Sequence, residues 1–468
     1  MSDTFDYDLA IIGGGSGGYA AARTAAAAGL ATVVIEGGEE VGGLCILRGC
    51  MPTKALLYAS EVMNLSRQAA TWGIHNKETT CDFAAVMARK DQLIAEFAAF
   101  RQQQLSDGRF EFIRALARFD NPHTLILSTG RRISARHIII STGSIVAPPI
   151  LHQLRQVEYL TSDDALKLQT LPKSLIVLGG GAVAVEFAQL FARFGVKVAL
   201  IQRSAHILRA FDADAARELE KVFRREGMNV YSSTRLTDAW QKPHAKGIAF
   251  EQDGQEVRVE AEEMLFALGR IPNTDPLELV QAGLDTSQHT IITNSRMQTS
   301  VPHIYAVGDC TGPYEIVHIA IQQGEVAAHN IAHPEQPREM DYRLLISIVF
   351  TEPQVASVGL TEIMANLHQI PYLAASYPFN DHGKSLIMDA KDGFVKLLAD
   401  PKSGEILGGA CVGPSGGELI HEIVAAMAKR MTVQELAAMP HYHPTLAEIW
   451  TYPAEELADK IRAGVKPA

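Results

Sequence analysis

The chain has 468 residues, 20% of them charged and 47% hydrophobic, a composition that excludes a disordered or low-complexity polymer. At roughly 100 to 200 residues per domain that length implies two to four domains, and the net charge of -11 argues against nucleic acid as the main partner. Five cysteines, an odd count without a secretory opening, point to a reducing, cytoplasmic setting with free or reactive thiols.

In chain order, the opening MSDTFDYD is acidic where an export signal would be basic. No apolar run approaches the about 20 residues of a membrane-spanning helix, so no membrane span is expected. An apolar strand (residues 8–12) leads into Gly13-Gly14-Gly15-Ser16-Gly17-Gly18, a helix expected from Tyr19 to Ala28, and a second strand ending at Glu36. The pattern returns later: a strand at 175–178, Gly179-Gly180-Gly181, a helix from Val183 to Phe194, and a strand running into Gln202. Each copy fits a dinucleotide fingerprint, whose glycines allow a tight turn and let backbone N–H groups meet a pyrophosphate at a helix N-terminus. A lone glycine-rich turn arises for purely structural reasons; two copies in strand–turn–helix context imply two nucleotide sites.

Between the copies, Gly42-Gly43-Leu44-Cys45-Ile46-Leu47-Arg48-Gly49-Cys50-Met51-Pro52-Thr53-Lys54 opens a mostly helical stretch to about Leu105. Two cysteines five residues apart can bring their sulfurs within bonding reach, and Pro52 suits the first turn of a helix beginning near Cys50. A helix N-terminus favours a thiolate, so Cys50 is expected to have a lowered pKa and to exchange electrons, leaving Cys45 free to meet a substrate. Half of a zinc site is the competing reading, but no second cysteine cluster supplies its ligands and no metal is expected. Cys81, Cys310 and Cys411 stand alone and read as packing residues.

Strands near 124–127 and 137–140 precede Ser141-Thr142-Gly143, and Pro148-Pro149 marks a crossing into a second domain. The return is near Gly269-Arg270-Ile271-Pro272-Asn273-Thr274, and the tail from about Leu344 mixes strands and helices without a glycine fingerprint. The fold class is therefore α/β, with two Rossmann-like dinucleotide-binding domains and a C-terminal α+β domain. The expected boundaries are 1–148 with 273–343, 149–272, and 344–468.

Taken together, these motifs resemble the pyridine nucleotide-disulfide oxidoreductases, a family that includes dihydrolipoamide dehydrogenase, glutathione reductase and mercuric reductase. The resemblance spans nearly the whole chain, including Thr299 to Asp309, which is similar to the family's second FAD motif, and Phe350-Thr351-Glu352-Pro353. It implies FAD on the first fingerprint and NAD or NADP on the second. Gly13, Gly15, Gly18, Glu36, Gly43, Lys54, Thr142, Gly143, Asp309, His318, Gly269 and Arg270 would serve cofactor binding, with Asp309 on the ribityl chain. His318 would contribute through the positive end of its helix. Gly179, Gly181, Gln202 and Arg203 would serve the nicotinamide cofactor, and Lys54 would pair with Glu186 beside the flavin.

His443-Pro444-Thr445 with Glu448 is similar to the family's acid/base motif, in which the glutamate orients the histidine. In the family that pair acts on the neighbouring subunit's cysteines, so a homodimer sharing its active sites is implied. His441 has no such support. The C-terminus lacks the vicinal cysteines expected of a mercuric reductase. Leu446 brings the motif nearer to dihydrolipoamide dehydrogenases, making a lipoyl-bearing protein the first expected substrate, while Ile46-Leu47-Arg48 departs from the usual Leu-Asn-Val. The alternatives are NADPH-driven reduction of a small disulfide or metal ion, and a docking subunit of a multienzyme assembly.

The nicotinamide stays open. From Gly13 to Glu36 is 23 residues (36 - 13), and from Gly179 to Gln202 is also 23 (202 - 179), so a neutral amide stands where the first copy has a ribose-binding carboxylate. Arg203 and Ser204 follow and could take a 2′-phosphate, whereas the nearest substrate class uses NAD. Ala182, where some relatives place a covering tyrosine, predicts an open nicotinamide pocket.

Overall fold

A computed structural model describes residues 5–285, 287 and 289–467. The first four residues of the acidic opening and Ala468 of the C-terminal tail lie outside the described residues. The chain divides into two compact units, one of Met1–Ala55, Met87–Pro148 and Gly269–Met340, the other of Leu56–Val86, Pro149–Leu268 and Asp341–Ala468.

In the first unit β1 (Tyr7–Ile12) is flanked in parallel by β2 (Thr32–Glu36) and by strand Arg132–Ile140. Strands Glu111–Arg114 and Ile304–Ala306 extend the parallel array on either side. Leu9, Ile11 and Val34 pack with Ala21, Ala22 and Ala25 of α1 (Ser16–Ala27) and with Ala327, Ala328 and Ile331 of helix Val317–Ala332. Ala10, Ile12, Val33 and Ile35 pack with Phe119, Leu125 and Ile133 on the other face. Burial on both faces is why these strands are unbroken apolar runs without alternation.

The helix of the first fingerprint begins at Ser16, three residues before the expected Tyr19. Glycine is a poor helix former, which hid this turn from a propensity reading. Sterics demand glycine here all the same. A Cβ on Gly18 would lie 1.9 Å from the Gly13 carbonyl oxygen, and one on Gly324 would lie 2.3 Å from that of Gly17, where α1 crosses helix Val317–Ala332.

The second unit repeats the design. Its parallel strands Asn229–Tyr231, Lys197–Ile201, Ser174–Leu178 and Glu263–Phe266 lie in that order, so the first strand of the repeat again stands third. Residues 346–413 form a five-stranded antiparallel sheet covered by helices Gly416–Ala428 and Thr451–Arg462, with Trp450 and Phe379 fully buried beneath them.

Lys396, on the interior strand Phe394–Ala399, fourth in the five-stranded sheet, is 4% exposed, with its ammonium 2.8 Å from Asp214, 2.8 Å from Glu362 and 3.0 Å from Asp212. It ties the helix Ala213–Arg225 to the antiparallel sheet. Breaking a buried ion pair from one side leaves uncompensated charge, so Lys396→Met is expected to destabilise the protein by about 3–5 kcal/mol, read as a fall in melting temperature at neutral pH.

Candidate active site

The cysteine pair lies in the first unit, Cys45 in α2 (Gly43–Arg48) and Cys50 at the start of the consecutive helix α3 (Cys50–Gln68). Gly49 breaks the helical path between them with φ -131° and ψ -113°. Cys45 therefore lies in a short helix of its own, and Cys50 opens α3 as expected. Neither is in a disulfide, and both are partly buried. A hydrogen bond to Cys50, and then burial, push the Cys45 thiol up, while Lys54 one turn into α3 and Arg101 of α4 (Phe83–Leu105) pull the other way. With the Cys45 proton held by that hydrogen bond, the sulfur at the helix N-terminus is the one placed to carry negative charge. Cys310 and Cys411 are fully buried, and burial pushes the Cys310 thiol up to about 12. Cys81 departs from the packing expectation: it is only partly buried, in the segment just before α4.

The residues expected around the flavin converge within the same unit. Glu36 accepts hydrogen bonds from the N–H of Gly14 (2.8 Å) and of Gly38 (2.7 Å), which fixes the loops on either side of the fingerprint. Gly43 touches Gly15 so closely that a Cβ on Gly43 would lie 2.7 Å from the Gly15 Cα. Strand Arg270–Pro272 pairs antiparallel with Ser144–Val146, and the N–H of Asn273 donates to the Gly143 carbonyl at 2.9 Å, so the return segment lies beside the Ser141-Thr142-Gly143 turn. Ser144, unassigned from sequence, links them: its hydroxyl donates to Asp309 at 2.7 Å and accepts from Arg270 Nε at 2.8 Å. Only its adjacency to Thr142-Gly143 could have singled it out. Gln323 accepts the Gly308 N–H at 2.7 Å and holds the Asp309 turn, while His318 lies in the first turn of a helix without a side-chain cap. The residues fit FAD: the α1 N-terminus has no side-chain cap, the glycines meet backbone to backbone, and the buried Thr142 hydroxyl finds no partner among the described residues.

In the second unit, Gly179 (φ 122°) and Gly181 precede helix Ala182–Arg193, again without a side-chain cap. A Cβ on Gly181 would meet nothing within 4 Å, and Ala182 is exposed. Gln202, 8% exposed, lies against Gly180 as Glu36 lies against Gly14, and its amide oxygen accepts the Arg203 N–H at 2.9 Å. The Arg203 side chain is exposed. The uncapped helix and open Gly181 fit a dinucleotide. Glu186 is 3% exposed and its carboxylate accepts the Phe350 N–H at 2.9 Å, so it is not an ordinary surface acid.

His443 Nδ1 lies 2.9 Å from Glu448 Oε2. The histidine side chain is 78% exposed and the carboxylate 11%, so a buried acid orients a ring whose other nitrogen is free to face outward. Five residues of chain separate the two, and helical turn Ala447–Trp450 closes the gap. His441 forms its own pair, with Nε2 2.6 Å from Glu422 Oε1 and Nδ1 3.0 Å from the Met439 carbonyl oxygen. Sequence gave it no role because its partner is 19 residues upstream.

No helix among the described residues is long and apolar enough to cross a membrane. Residues 7–324 match the family described as pyridine nucleotide-disulphide oxidoreductase, and residues 345–454 match the dimerisation domain of the same name. The chain is 34% identical to a dihydrolipoyl dehydrogenase of Chlamydia trachomatis over 95% of both chains. It is 31% identical to a mercuric reductase of Staphylococcus aureus over 95% of this chain and 81% of that one. The solved structure of the HOCl-induced flavoprotein disulfide reductase RclA from Escherichia coli is similar with a TM-score of 0.85 and 25% identity, covering 96% of this chain and 99% of that one.

Proposed function

The chain belongs to the pyridine nucleotide-disulphide oxidoreductase family, and on that premise we propose that this FAD- and NAD(P)-dependent enzyme acts on dihydrolipoyl groups as a dihydrolipoamide dehydrogenase. The observation that carries the reading is the Cys45–Cys50 pair at the start of α3, one thiol donating to the other. A substrate thiolate attacks Cys45 of the oxidised pair, the Cys45–Cys50 bond breaks, and Cys50 leaves as a thiolate stabilised by the helix N-terminus. The second substrate thiol then closes the substrate disulfide and returns Cys45 as a thiol. His443, held by Glu448, takes the protons released; in a homodimer each subunit's His443 serves the other's cysteines. When bound, FAD carries the electron pair between the dithiol and the nicotinamide. Gly13, Gly15, Gly18, Gly43, Thr142 and Asp309 would hold it, and the expected Lys54–Glu186 pair belongs to the same proposal.

A second reading, NADPH-driven reduction of a small disulfide or metal ion, is favoured by the neutral Gln202 and exposed Arg203 where a 2′-phosphate would lie. Anaerobic reduction by NADH and by NADPH, followed by lipoamide, tests both. A long-wavelength thiolate-to-flavin band that lipoamide discharges is the expected result; a band indifferent to lipoamide removes the lipoyl substrate. If NADPH is the faster donor, Arg203→Ala is expected to raise its KM about tenfold or more, the loss of one charge-assisted hydrogen bond, with NADH unaffected. Equal behaviour of variant and parent with both cofactors would make Arg203 a solvent-facing residue with no part in cofactor choice.

A further inference from the structure

Glu448 has a second histidine on its other side. His382, fully buried between strand Leu373–Pro378 and helix Gly383–Ile387, places Nε2 3.4 Å from Glu448 Oε1, while its Nδ1 lies 2.8 Å from the Ser385 hydroxyl, also fully buried. The groups form a chain from the interior to the surface: Ser385, His382, Glu448 and exposed His443. An ionised carboxylate only accepts, so the ring nitrogens facing Glu448 carry hydrogens. That assigns the Nε2–H tautomer to a neutral His382, with Ser385 donating its O–H to Nδ1.

We propose that His382 is a positioning residue for the acid/base, fixing Glu448 from behind and directing an N–H dipole at the carboxylate that serves His443. The inference rests on the reading of His443 as the base. The remaining groups facing His382 are aromatic or neutral: Phe379 and Tyr452 each set their rings 6.4 Å from it and nearly perpendicular, and Tyr377 stacks on Tyr452 while donating to Asp381. Burial holds the His382 imidazole below its ordinary range, against the opposing pull of Glu448. At neutral pH it therefore stays uncharged and meets the carboxylate as a neutral ring. At 3.4 Å the contact is electrostatic and not a hydrogen bond, since the buried His382 Nε2 has no hydrogen-bond partner among the described residues, and contacts of this kind tighten when charge develops on the base.

The physical consequence has a sign. The positive end of the His382 N–H disfavours a second proton on the Glu448–His443 pair, so removing it makes that pair bind its proton more tightly. In His382→Leu the base is expected to lose its proton at higher pH. In His382→Gln, which retains an N–H donor, it is expected to behave nearly as in the parent. Ser385→Ala, which no longer sets the tautomer, should shift the base in the same direction as His382→Leu and by less.

The test is the pH dependence of iodoacetamide alkylation of the dithiothreitol-reduced FAD-loaded dimer, which needs no assumed substrate. The inflection abolished in His443→Gln identifies the base. In His382→Leu that inflection is expected to move up by about one pH unit, a tenfold change in the proton equilibrium, with His382→Gln restoring it. An inflection that moves in neither His382→Leu nor Ser385→Ala overturns the proposal while leaving the base intact. A profile that His443→Gln leaves unchanged overturns both the base and this inference. Should His382→Leu fail to fold, Ser385→Ala decides by the same shift or its absence.

Discussion

Cys50→Ser in the FAD-loaded enzyme is expected to lower disulfide–dithiol turnover on the order of 10³-fold or more, with FAD content and melting temperature close to the parent. The reason is the arrangement of the pair. Cys45 and Cys50 are hydrogen-bonded to each other in the dithiol form, and only Cys50 stands at a helix N-terminus that stabilises the departing thiolate. Serine fills the same space but neither forms the disulfide nor releases a stable anion at neutral pH. Cys45→Ser is expected to be equally severe, and the double variant no worse, because the two sulfurs act as one unit. Steady-state turnover with NADH or NADPH and lipoamide, alongside flavin absorbance, checks this. Retention of more than a tenth of parental turnover in Cys50→Ser would remove the pair from the chemistry.

The second large effect falls on His443. His443→Gln is expected to lose about 10²- to 10⁴-fold in turnover, the usual contribution of a placed general base. Its pH profile should lose the limb that reports the imidazole, leaving the cysteine limb. Glu448→Gln should cost less, since the amide can still meet Nδ1 at 2.9 Å but gives up the charge that supports an imidazolium. The hydrogen bond from Cys45 to Cys50 sets the direction of the cysteine limb. A thiol pushed up by its hydrogen bond and by burial keeps its proton as pH rises through the ordinary thiol range, so attack by Cys45 on a disulfide depends on a base below that range. Addition of external imidazole to His443→Gln offers a check: turnover is expected to recover in proportion to the concentration of the free base, and no recovery at any pH would count against this account.

Legibility varied with the range of the signal. The two fingerprints, the cysteine pair and the His443–Glu448 pair lie within short windows, where glycine sterics, helix periodicity and motif spacing suffice. The antiparallel pairing that brings Arg270 beside Ser144, and Ser144 to Asp309, spans more than 100 residues, and no local pattern announces it. Gly17 and Gly324 are a like case: each looks like an ordinary helix-weakening residue until the two helices meet at a distance only glycine allows.

By itself the sequence determined the doubled nucleotide-binding design, because buried parallel strands must be continuous apolar runs and a pyrophosphate needs glycine at the following turn. It also singled out Cys45 and Cys50, which the resemblance to the disulfide oxidoreductases reads as a redox pair. Tertiary structure alone decided which partners buried polar groups find. Lys396 gathers carboxylates from distant segments, Glu186 turns inward to a backbone N–H, and Glu448 receives a second histidine from 66 residues away (448 - 382). Such groups must be satisfied once water is excluded, and what satisfies them depends on which strands and helices are packed together, a relation that residues close in sequence do not encode.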